Sequence, residues 1–105
     1  MSEIQNRAVR MLQQNGLDMT VASYRVQMLK AALALYRSTG GTEQVARELC
    51  AGAFQGRSGD AATGIGDAMI ALAAVSHLSD LDMMQAAYNE LDRGGQELSE
   101  PADAG

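Results

Sequence analysis

The side chains able to do chemistry in this 105-residue sequence are few and scattered. Cys50 and His77 are its only cysteine and its only histidine, and a thiol becomes a nucleophile only beside a base. They stand 27 residues apart with no residue marking an orienting third group. Cys50 therefore reads as a small buried apolar residue, and His77 as an imidazole near a helix C-terminus, where the helix dipole favours its protonated form. Asp80 and Asp82 carry oxygens that suit a divalent cation, but a calcium loop needs several more ligands than two. They read instead as negative charge at a helix start. Glu43 and Glu48 lie about 500° apart around a helix and do not share a face. The chain has no phosphate-binding Gly-x-x-x-x-Gly-Lys loop, no Gly-x-Gly-x-x-Gly turn after a strand and no His-Glu-x-x-His zinc motif. The expectation is a protein with no catalytic residues, no metal and no cofactor.

Charge is the more informative feature. Residues 1–57 carry seven cations against four carboxylates, whereas residues 58–105 carry nine carboxylates against one cation, Arg93. The halves are net +3 and −8, within a total of −5. Clustered like charge steers association and selects the sign of the surface met. Arg7 and Arg10 on the first helix, and Arg25, Lys30 and Arg37 on the second, have no interleaved aromatic residues and sit in an acidic chain. They read as solvated helix faces, and no direct contact with nucleic acid is expected.

The elements that must position these residues are all helices. Ala, Leu and Met dominate the apolar positions, with no Trp, three Tyr and one Phe, a composition that favours helix over strand. Ser2 and Gln5 form a capping-box pattern ahead of Ile4, Ala8, Val9 and Leu12, and Asn15-Gly16 is a stop, so the first helix covers about residues 3–14. Thr20 caps a longer second helix with two adjoining apolar stripes, Val21, Tyr24, Met28, Ala31, Leu35 and Ala22, Val26, Leu29, Leu33, Tyr36. So wide an apolar arc predicts the central helix of the bundle. Thr42 starts a third helix that closes at Phe54, and residues 55–59 form the connection most suited to movement. A fourth helix starts at Asp60 or Thr63 and runs to about His77, with Gly64, Ala68 and Ala71 forming a small-residue stripe that suits close helix approach. Ser79 with Asp82 suggests a cap for a fifth helix from Asp80 to about Asp92, ended by Gly94-Gly95. Met11, Met28, Met69 and Met84 lie beside apolar stripes and are expected to fill the core, with one of Met83 and Met84 exposed.

The predicted fold is all-α: a compact bundle of about five helices over residues 1–95, with a disordered acidic tail over 96–105. A single cysteine permits no internal disulfide, the N-terminus lacks the apolar stretch of a signal peptide, and no apolar run approaches the length that spans a bilayer. These features predict a soluble cytoplasmic protein that does not engage membranes.

Two resemblances follow. The segment GIGDAMIALAAVSHLSDLDMMQAAYNELDR looks like the last two helices of MazG-like all-α nucleoside triphosphate pyrophosphohydrolases, in which Glu-x-x-Asp on one helix precedes a helix with an Asn near its end. The resemblance implies that Asp67 is that aspartate and Asn89 that asparagine, remnants of a nucleotide site. The family's glutamate is here Gly64, and residues 21–37, where Glu-x-x-Glu should stand, contain no acid. A Mg²⁺-triphosphate site needs several converging carboxylates. In size, acidity and lack of a catalytic constellation the chain is also similar to small phage-encoded inhibitors of the anti-CRISPR kind.

The leading expectation is thus a non-enzymatic inhibitor that uses an acidic helical surface to block a partner with a basic surface, such as a nuclease or other nucleic-acid-binding complex, in the host bacterial cytoplasm if phage-encoded. Asp67, Asp80, Asp82, Glu90 and Asp92 are the residues expected to bind that partner. The alternatives are a MazG-like hydrolase or its catalytically dead relative, and a structural homodimer in which the apolar arc of the second helix packs on its twin.

Overall fold

The computed structural model describes residues 1–94. They form five helices, α1 (Glu3–Gln14), α2 (Val21–Ser38), α3 (Glu43–Gln55), α4 (Ala61–Leu78) and α5 (Met83–Asp92), and no strand occurs among the described residues. The fold is all-α, as composition and periodicity predict. The acidic tail expected over 96–105 lies outside the described residues.

Each helix begins on a side chain that accepts an otherwise orphaned backbone N–H. At α1 the capping box forms in full: Gln5 N donates to Ser2 Oγ at 3.1 Å and Ser2 N to Gln5 Oε1 at 3.3 Å. Thr20, Thr42, Asp60 and Asp82 cap the other four, accepting from Ser23, Val45, Thr63 and Gln85. Three helices end in the same motif, in which a residue in the left-handed region lets two backbone N–H groups turn back onto the last carbonyls. Gly16 (φ 86°) does this for α1 and Gly40 (φ 97°) for α2. For α4 the residue is Asp80, at φ 56°, with Asp80 N donating to His77 O at 3.1 Å and Leu81 N to Ser76 O at 2.9 Å.

That ending corrects the expected start of the fifth helix. Asp80 belongs to the end of α4, Ser79 is the C-cap of α4 rather than the cap of α5, and Asp82 is the N-cap of α5. The left-handed conformation of Asp80 interrupts the chain two residues before α5 can begin. Smaller differences are that α3 continues through Gln55, and that α4 starts at Ala61 and reaches Leu78.

Packing centres on α5, which lies against α1 and, less extensively, α4. Half-buried apolar residues there include Ile4, Met11 and Leu12 on α1 and Met83, Ala87 and Leu91 on α5, with Leu35 on α2 and Val75 on α4 half-buried elsewhere. Polar contacts reinforce the pair. Arg7 Nη2 meets Asp92 Oδ1 at 3.1 Å, its guanidinium lies 5.7 Å from the centre of the Tyr88 ring, and Asn15 Nδ2 donates to Gly94 O at 2.8 Å.

No described residue is fully buried, which overturns three expectations. The second helix is not the buried centre of the bundle: Val21, Val26, Met28, Leu29 and Leu33 on α2 are all exposed. Cys50 is exposed rather than buried. Of the methionines expected in the core, Met28, Met69 and Met84 are exposed, while Met83 is half-buried as the pair required. One cause underlies all three. The apolar arcs were assigned correctly to their helices, but within one chain no other helix closes over those of α2, α3 and α4.

Candidate functional site

The five candidate acidic residues lie on two helices and the turn between them. Asp67 stands in the second turn of α4, Asp80 and Asp82 in the α4–α5 turn, and Glu90 and Asp92 in the last turn of α5. With a rise of about 1.5 Å per residue, Asp82 and Glu90 sit at opposite ends of α5, about 12 Å apart along its axis. The carboxylates are thus dispersed and do not form one patch.

Most of them have a partner within the chain. Asp82 Oδ1 accepts from Gln85 N at 2.9 Å as a helix cap. Glu90 Oε1 is 3.0 Å from Arg93 Nη2, and Asp92 is held by Arg7. Asp80 serves the end of α4 through its backbone conformation. Asp60 caps α4 and is more acidic than an ordinary carboxylate. The Thr63 backbone N–H, 2.7 Å from its Oδ1, and then the Thr63 hydroxyl hold its carboxyl below the ordinary carboxylate value.

Asp67 differs from the others. On a helix its neighbours at three and four residues' distance are Thr63, Gly64, Ile70 and Ala71, none of them charged, and its own helix carries no Lys or Arg. Asn89, the other residue of the pyrophosphohydrolase resemblance, accepts through Oδ1 from Gln85 Nε2 at 2.9 Å. Among the described residues no three His, Cys, Asp or Glu side chains come together in a way that could hold a metal ion.

The exposed surface also carries large apolar side chains. Ile65 and Ile70 on α4 are 65% and 72% exposed, Met28 on α2 is 65% exposed, and Phe54 at the end of α3 is 87% exposed. Nothing comes within 4 Å of where a Cβ on Gly64 or Gly66 would stand, so the small-residue face of α4 is open rather than packed on a helix. A groove lined by Leu17, Ala22, Ser23, Val26 and Gln27 runs along the first turns of α2. Of these residues the sequence pattern places Met28 on an apolar stripe expected in the core and Phe54 at the close of α3, and it does not single out Ile70. Sequence reasoning also held that no apolar run approaches membrane-spanning length, whereas α4, with Asp67 as its only acid, is long and apolar enough to cross a membrane by length and composition. At 18 residues it extends about 27 Å, close to the hydrocarbon thickness of a bilayer.

No family model matches this chain, and no curated protein or solved structure matches it either.

Proposed function

We propose that this chain is a non-enzymatic interaction protein whose binding surface is the exposed apolar face of α2, α3 and α4. One observation carries the reading: none of the described residues is buried, while large apolar side chains stand exposed along three consecutive helices. Large apolar side chains left exposed in such number mark surface that protein or lipid covers, because leaving them in water forgoes roughly 25 cal/mol for each Å² of apolar area. The chemistry-bearing residues support the same reading, since Asp67 has no second carboxylate on its helix and Asn89 is engaged by Gln85.

The finer reading is inhibition of a nucleic-acid-handling partner through acidic groups, and it rests chiefly on the exposed turn that carries Asp80 and Asp82. Both residues are exposed and neither is ion-paired among the described residues, although Asp82 also caps α5.

Two measurements test the proposal. Partners retained by the wild-type chain in affinity capture, a second copy of the chain included, are expected to be lost with Leu29→Glu, a change at an exposed position of α2. Incubation with Mg²⁺ and a panel of nucleoside triphosphates is expected to release no pyrophosphate above a protein-free control. Release that disappears in Asp67→Asn would contradict the proposal.

A further inference from the structure

We infer that a second copy of this chain covers the apolar surface, with α2 of each copy lying against α4 of the other. The inference rests on the interaction reading above and names the partner. Its first support is area. The chain exposes 8580 Å², whereas a compact monomer of 11.1 kDa exposes about 5,700 Å². Setting aside about 1,700 Å², an upper bound for the eleven residues after Gly94, still leaves an excess of about 1,200 Å². Covering that excess on both copies buries about 2,400 Å² in total, within the range of obligate homodimers.

Charge decides which helices meet. α2 carries Arg25, Lys30 and Arg37 and no acid, while α4 carries Asp67 and no Lys or Arg. Packing α2 on its twin would bring like charges together, and packing α4 on its twin would set Asp67 beside Asp67. Placing α2 against α4 avoids both and supplies the cation that a covered Asp67 requires, since an unpaired carboxylate in an apolar interface is strongly destabilising. The two helices are equally long, 18 residues each. When they run antiparallel and in full overlap, Asp67 falls opposite position 32, within one turn of Lys30. The small-residue stripe of Gly64, Ala68 and Ala71, open at Gly64, admits a close helix. The arrangement is self-complementary, so a twofold axis closes it at two copies.

Light scattering on the full chain, with charge-reversed variants, tests the inference. The wild type is expected to show twice the chain mass across micromolar concentrations. Asp67→Lys and Lys30→Asp are each expected to raise the dimer dissociation constant by about 100-fold, because each change acts at two symmetry-related contacts. The double variant Asp67→Lys/Lys30→Asp is expected to recover most of that loss, and this readout does not depend on whether either single variant folds alone. A single-chain mass at all concentrations, an assembly larger than two, or a double variant no tighter than the singles overturns the inference. Flotation of the chain with neutral phosphatidylcholine vesicles overturns it as well, in favour of a membrane against α4. Failures of the two readings are distinguishable. A monomer whose captured protein partner is lost with Leu29→Glu overturns the dimer alone, and nucleotide turnover by a dimer overturns the interaction reading alone.

Discussion

The α1–α5 pair and the α2–α4 segment of this molecule solve the same problem differently. In the first, an apolar stripe from each helix meets the other, and the rim is tied by Arg7 to Asp92 and Tyr88 and by Asn15 to Gly94. In the second, α2 and α4 are longer and α4 is the most apolar of the five, yet large apolar side chains stand exposed and the only acid of α4, Asp67, has no Lys or Arg on its own helix. A helix draws most of its stability from packing of its apolar face rather than from intrinsic propensity. The difference indicates that α1 and α5 are stabilised within the chain, and that α2, α3 and α4 depend on what covers them.

Substitutions can break or sharpen that contrast. The largest effect is expected from Ile70→Glu, at a position 72% exposed in the single chain. An exposed site would tolerate the change within about 0.5 kcal/mol, whereas a covered one loses about 3 kcal/mol or more by burying an unpaired charge. Thermal melts followed by circular dichroism separate the two outcomes. On the other side of the comparison, Arg7→Ala removes an ion pair, a ring contact and packing of the Arg stem. It is expected to cost about 1.5 kcal/mol in denaturant melts without altering the assembly state. Asp82→Ala removes the cap of α5 and is expected to cost about 1 kcal/mol by the same measurement.

Asp80→Gly should move stability the opposite way. Relieving the left-handed conformation of a residue with a Cβ is expected to raise stability by about 0.5–1 kcal/mol. The smallest effect is a pH dependence at the start of α4. Asp60 is more acidic in the folded chain than in the unfolded one. Its contribution is therefore fully present above the ordinary carboxylate range and is lost as pH falls through its lowered folded value. Asp60→Asn should flatten that part of the acid side of the stability curve, which acid titration of helicity measures.

Local structure was legible in the sequence wherever a side chain speaks directly to the backbone. The Ser2–Gln5 box placed α1 at its observed bounds, and Thr20, Thr42 and Asp60 marked the starts of three more helices. The error at α5 came from an aspartate in a glycine's role. Asp80 adopts the left-handed turn that Gly16 and Gly40 adopt elsewhere, and beside Ser79 and Asp82 it resembles the start of a helix. Burial was not legible, for a different reason. Periodicity shows that Met28, Leu29 and Met69 lie on apolar faces, but it does not show whether the covering surface belongs to the same chain. Cys50 was misplaced on the same ground. The candidate acidic site was legible only as composition. Its carboxylates prove to be dispersed, and three of the five are engaged as a cap or in ion pairs.

The most direct test of the dependence of α2–α4 on a second copy is the concentration dependence of thermal unfolding. An obligate dimer gains stability by mass action, so the unfolding midpoint of the wild-type chain is expected to rise steadily with each tenfold increase in protein concentration. A midpoint that stays constant across that range, with a cooperative transition and the mass of one chain, would contradict the account.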